Sequence, residues 1–182
     1  MICCKLARVI HLLRHLKPLV PKQYLKTAYF AFFNSILIYG ITVWGNGSGI
    51  SRVLKLQKSA IRILTSSPYD AHCKPLFKSQ GIMTVINMYI LRCLLNIKTN
   101  LNHYASASTV HNYSTRNNYQ LIEPQVRLSK SKNWYNSIAI ALFNRLPQET
   151  FNLNCNKFKK MAKNGLLQIL FIQRTNTYKW NR

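Results

Sequence analysis

The sequence predicts an all-α fold of about six helices in an irregular bundle, with a long polar loop that has room for a short β-hairpin. Three observations carry this reading. Apolar residues recur at three- and four-residue spacing in several separate stretches. Prolines and one glycine cluster cut the chain into pieces of helical length. Apolar residues make up 48% of the 182-residue chain, enough for a core.

Residues 2–16 read as a short basic helix with Ile2, Leu6, Val9, Ile10 and Leu13 on one face. Pro18 and Pro21 end it, and Pro21 suits the opening of the next helix. Residues 22–45 form a long apolar helix closed by Gly45-Asn46-Gly47-Ser48-Gly49. Residues 50–65 are the cleanest amphipathic stretch. Ile50, Val53, Leu54, Ile61 and Leu64 share one side, flanked by Leu56 and Ala60, and Arg52, Lys55, Lys58 and Arg62 fall on the other. A turn over 66–69 leads to a short element near 74–78. Residues 84–98 are apolar nearly all round, the profile of a buried helix. Residues 99–128 are polar and loop-like, and Pro124 interrupts any strand there. Residues 131–146 return to helix, with Trp134, Ile138 and Leu142 four apart, and Pro147 stops them. In a last helix over 155–172, Phe158, Met161, Ala162, Gly165 and Ile169 point inward and Lys157, Lys160 and Lys163 outward.

Charge narrows the function. Lys and Arg number 26 against 3 Asp and Glu, a formal net charge of +23. Such a surface repels itself unless a polyanion neutralises it: nucleic acid, an anionic membrane or an acidic partner. Isolated cations on a helix ordinarily form a solvated face. With no acid interleaved, Arg52, Lys55, Lys58 and Arg62 read instead as a phosphate-facing stripe. The uncharged run from Thr27 to Ser51 approaches the roughly 20 apolar residues that span a bilayer. Asn34, Ser35, Gly40 and Thr42 dilute it, so a buried core helix is expected over a membrane span. Lys5, Arg8 and Arg14 interrupt the N-terminus too early for a secretory signal. The five cysteines show no paired spacing, so free thiols in an intracellular compartment, nucleus or cytoplasm, are expected.

The composition argues against catalysis by this chain alone. Its acids, Asp70, Glu123 and Glu149, are scattered singly, whereas two-metal phosphoryl transfer needs converging carboxylates. No Gly-rich phosphate loop follows Gly45, Gly47 and Gly49. His11 and His15 stand four apart and His72 adjoins Cys73, but no third and fourth ligand follows at finger spacing. No metal, cofactor or small-molecule substrate is therefore expected.

A set of short patches occurs in order along the chain. It runs Tyr39-Gly40, Val43-Trp44-Gly45, Leu56-Gln57-Lys58, Ala60-Ile61-Arg62, His72-Cys73-Lys74-Pro75-Leu76-Phe77 and Gly81-Ile82. It continues with His111, Tyr113, Ser114-Thr115-Arg116-Asn117, Pro124, Arg127, Asn144-Arg145-Leu146-Pro147 and Phe158-Lys159. This set resembles the segment C-terminal to the polymerase core in reverse transcriptases of jockey-like non-LTR retrotransposons. The resemblance runs from about Leu16 to about Leu170. It implies that the helical bundle over 1–98 is thumb-like; the residues themselves mark a polar linker over 99–130, a C-terminal helical pair over 131–172 and a frayed tail over 173–182. It also implies RNA or DNA as partner, together with the polymerase core itself. No catalytic aspartate carries over, because the family's metal-binding aspartates lie in the palm, upstream of the matched region.

Beyond the four cations of 50–65, the candidate contacts are Arg116, Lys157, Lys160 and Lys163. Arg116, among Ser, Thr and Asn donors, suits either a phosphate or the backbone of its own loop. Tyr29, Tyr39 and Trp44 read as core anchors or helix-packing aromatics, and a base-stacking role, which requires exposure, stands second. Asn144 reads as a structural helix C-terminus. Two other readings stand beside nucleic-acid binding. One is a membrane-associated basic protein with 27–51 inserted. The other is a decayed reading frame, suggested by a Met1 that falls within the family region.

Overall fold

A computed structural model describes residues 2–110, 119–125, 127–128 and 134–169. Among the described residues, eight helices form the scaffold. They are α1 (Ile2–Leu16), α2, α3 (Ile41–Trp44), α4 (Ile50–Thr65), α5 (Cys73–Gln80), α6 (Val85–Thr99), α7 (Tyr135–Asn144) and α8 (Cys155–Gln168). Helix α2 is continuous through Lys22–Ala28, a π-helical stretch Tyr29–Asn34 and Ser35–Ile38. A single helical turn lies at Ala107–Val110. The expectation of about six helices is thus too low.

The expected β-hairpin is also corrected: there is no strand among the described residues. One antiparallel bridge pairs Ser106 with Leu121. It rests on Ala107 N–H to Gln120 O and Ile122 N–H to Ala105 O, both 2.9 Å. It does not extend, because a 3-10 turn at Leu101–His103 and the helical turn at Ala107–Val110 occupy one arm. Pro124 removes a donor from the other.

The described residues divide into two compact units, 2–89 with 166–169 and the described part of 90–165. In the first, α1 packs on α4 and on α2. Its core holds Leu6, Ile10 and Leu13 of α1 and Val53, Leu54, Ile61 and Leu64 of α4. From α2 onward Leu25, Tyr29, Phe33, Leu37 and Ile41 are all buried at strict spacings of four. In an α-helix of 3.6 residues per turn, that spacing would rotate off the core. The wider i→i+5 turn at Tyr29–Asn34 offsets the drift and keeps the row facing inward.

The long apolar helix expected over 22–45 breaks before its end. Gly40 takes φ 59° and ψ 22°, a left-handed conformation that costs a Cβ-bearing residue energy, and α3 starts afresh beyond it. Consequently no single helix among the described residues is long and apolar enough to cross a membrane. Helices α5 and α6 pass that test only jointly, as a bent pair.

In the second unit, α6 is buried on most sides, with Ile90, Leu91, Cys93, Leu94 and Ile97 in the core. They join Ile138, Leu142 and Phe143 of α7 and Phe158 and Ala162 of α8. Phe143 meets Phe151 edge-on at 4.8 Å and Phe158 at 6.0 Å, and Tyr119 closes on Phe151 at 5.0 Å. Asn144, the last residue of α7, clamps Leu121. Its Oδ1 accepts the Leu121 N–H at 2.9 Å and its Nδ2 donates to the Leu121 carbonyl at 2.8 Å. One inward assignment does not hold: Ile169 lies past the end of α8 and is exposed, while Leu166 is buried. Trp134, placed within the helix by its spacing, precedes α7 and is exposed.

Candidate functional site

The cations of α4 divide by their distance from its buried stripe. Arg52 and Lys55 are exposed; Lys58 and Arg62 sit at the stripe's edge and are half-buried. Arg62 is committed to the fold. Its Nε and Nη2 both donate to the Ala71 carbonyl, at 3.0 and 2.9 Å, and its guanidinium lies 5.8 Å from the Tyr69 ring centroid. It therefore ties the chain leaving α4 back onto the helix. Lys26 is similarly engaged, with Nζ 2.8 Å from the carbonyl of Gln80 at the end of α5. A cation there also meets the negative end of the α5 dipole. In residues 1–89 the only acid is Asp70, and it is exposed.

On α8, Lys157, Lys160 and Lys163 are exposed as expected. Lys159 is exposed too and was missed, although the signal was present: α8 carries four lysines and no acid. Like charges at three- and four-residue spacing destabilise a helix unless counter-charge arrives. Arg116 lies outside the described residues.

The aromatic expectation is half corrected. Tyr29 is a core anchor with 0% exposure, but Tyr39 is 84% exposed and Trp44 half-buried. Tyr39 is the last residue before the Gly40 turn. Its N–H donates to Ser35 O at 3.1 Å and its carbonyl accepts the Trp44 indole N–H at 2.9 Å, so its backbone is held from both sides. Around it opens a groove of about 860 Å³, lined by Ile2, Lys5, Ser35, Ile36, Gly40, Val43 and Trp44. That volume falls in the range of small-molecule sites, about 300–1,000 Å³.

The histidine pair of α1 is exposed, and its Nε2 atoms approach to 3.1 Å, one ring donating to the other. Two nitrogens are half of a zinc site. Among the described residues no group of three or more His, Cys, Asp or Glu side chains gathers. Asp70, Glu123 and Glu149 are each exposed. The perturbed groups are tyrosines inside the units. Burial pushes the Tyr29 hydroxyl above its ordinary value, and burial pushes Tyr135 up to about 12.

No family model, curated protein or solved structure matches the chain.

Proposed function

We propose that this chain is a nucleic-acid-binding segment descended from the region beyond the polymerase core of a jockey-like non-LTR retrotransposon reverse transcriptase, without polymerase activity of its own. The observation that carries the reading is the pair of exposed cationic helix faces, Arg52 with Lys55 on α4 and Lys157, Lys160 and Lys163 on α8, neither helix bearing an acid. Lysine and arginine at that density bind phosphates as point charges, and release of condensed counterions drives the association. Such contacts fix position without reading sequence. The ordered patches from Tyr39-Gly40 to Phe158-Lys159 support the family origin, and with it a polymerase core as a second partner.

The test is affinity for RNA and for DNA across a salt series. Each neutralised phosphate contributes a slope of about −0.9 in log K against log salt on duplex DNA and about −0.7 on single strands. A multi-charge slope that becomes shallower in the Arg52→Gln, Lys55→Gln double variant supports the reading. A flat plot for both nucleic acids overturns it.

A further inference from the structure

We infer that the groove around Tyr39 holds an unpaired nucleobase of a single-stranded nucleic acid, stacked on the Tyr39 ring with adjoining phosphates at Lys5 and Arg8. This rests on the nucleic-acid reading above and adds a strand preference to it.

Exposure comes first. A tyrosine in an otherwise apolar run that keeps 84% of its surface in water, beside a Val43 at 88%, contributes little to the core. Rigidity comes second. The Gly40 turn and the two backbone hydrogen bonds at Tyr39 fix the ring's attachment point, so little backbone entropy is lost when a partner docks. The lining comes third. The Ser35 hydroxyl is already spent on Ala31 O at 2.6 Å, and the Trp44 N–H on Tyr39 O. What faces a ligand is therefore an apolar floor of Ile2, Ile36 and Val43, the Tyr39 and Trp44 rings and one ammonium, Lys5. Such a surface suits the π-face of any base and offers few donors to read its edge.

Charge selects the occupant. Lys5 and Arg8 stand three apart on α1, both exposed, and three-apart residues are neighbours on a helix surface. No acidic residue occurs on α1, α2 or α3. Because α1 packs against α4, the groove belongs to the same unit as Arg52 and Lys55. A flat apolar slot beside backbone-spaced cations is the general arrangement for single strands. A base inside a duplex has both faces covered and cannot enter.

The experiment compares the full chain with Tyr39→Ala and Tyr39→Phe on fluorescein-labelled oligothymidine of roughly 16 nucleotides, the upper end of single-strand site sizes, and on a duplex of equal length. Tyr39→Ala should weaken single-strand binding roughly 5- to 150-fold, the range expected for one lost stack. Tyr39→Phe should keep wild-type affinity, and duplex binding should not move. Lys5→Gln should make the single-strand salt slope shallower by about 0.7. Unchanged single-strand binding by Tyr39→Ala, or equal loss on strand and duplex, overturns the inference and leaves the broader reading standing. Absence of binding by the unaltered chain to either nucleic acid overturns both. Tighter binding of an acidic amphipathic peptide than of oligothymidine, abolished by Tyr39→Ala, overturns it in favour of a protein partner.

Discussion

Gln57 donates from Nε2 to the Tyr29 hydroxyl at 3.1 Å, in a place where both side chains have 0% exposure. The rest of the amide is equally engaged. Nε2 also donates to the Met83 carbonyl at 3.0 Å, and Oε1 accepts the Val85 N–H at 2.8 Å. Val85 opens α6, and its N–H has no partner within its own helix. Gln57 of α4 thus caps α6 from across the core. Thr84 and Asn87 complete the junction. The Thr84 hydroxyl donates to Asn87 Oδ1 at 2.8 Å, and Asn87 Nδ2 donates to the carbonyls of Leu166 and Ile169.

Replacing Gln57 by Leu should therefore destabilise the fold by about 3 kcal/mol or more, since the Tyr29 hydroxyl, the Met83 carbonyl and the Val85 N–H each lose a partner and a buried group left unpaired costs about 1–3 kcal/mol. Tyr29→Phe should cost less, about 1 kcal/mol, because Gln57 keeps its two other bonds. Urea unfolding of both variants checks the order. Equal stability of Gln57→Leu and the unaltered chain would refute the capping role.

Gly45 is required by close approach. A Cβ there would run into the Ile41 carbonyl oxygen and the Tyr89 ring, neither at the end of a flexible side chain. Gly49, four residues on, has nothing near its missing Cβ. Gly45→Ala should lower stability by about 1–3 kcal/mol through overpacking, and Gly49→Ala should be near neutral. Thermal melts of the two variants separate a packing requirement from the general cost of altering a glycine cluster.

Alkaline pH should unfold the chain through its tyrosines. Unfolded tyrosine releases its proton near pH 10. In the fold, burial holds Tyr29 above that value against a smaller opposing effect of its Gln57 hydrogen bond. Burial pushes Tyr135 up to about 12, reinforced by Cys93 and opposed by Asn96. Between these values the unfolded state binds fewer protons than the folded one, so stability falls as pH rises. The contribution is complete below about pH 10 and is lost as pH climbs through the folded values. Denaturant midpoints measured from pH 8 to pH 12 should decline more gently in Tyr135→Phe. A decline of the same slope in that variant would place the titration elsewhere.

Local signals in the sequence carried most of the helices. Gly81 after Lys78 closes α5, where Ile82 N–H reaches Phe77 O at 3.0 Å, and the buried Ile82 explains the Gly81-Ile82 pair. The four-residue row from Leu25 to Ile41 was not readable as one buried face, because it faces inward only through the π-helical stretch at Tyr29–Asn34. The break at Gly40 was not readable either, because one glycine inside an apolar run is compatible with a continuing helix at a cost of only about 1 kcal/mol. Tyr39 lies two residues from Leu37 and from Ile41, off the buried row, and its exposure follows from that position. On α4, residue type placed four cations together, yet only tertiary contact distinguishes Arg62, bound to Ala71, from Lys55, which faces water.

That distinction predicts opposite consequences for two neighbouring charges on one helix. Arg62→Gln removes both hydrogen bonds to the Ala71 carbonyl and the contact with the Tyr69 ring. Hydrogen bonds to a charged donor contribute about 1.5–3 kcal/mol, so the variant should unfold at lower denaturant. Glutamine cannot supply the two-pronged planar donor, and lysine, a point charge, should restore stability only in part. Lys55→Gln touches no such partner, and exposed substitutions of this kind usually fall within about 0.5 kcal/mol. Its effect should appear instead in the salt slope of nucleic-acid binding, shallower by about 0.7–0.9. Measuring unfolding and salt dependence on the same two proteins assigns each cation its role. If Arg62→Gln leaves stability intact and changes only the slope, Arg62 belongs to the phosphate-facing stripe and the Ala71 tether contributes nothing to the fold.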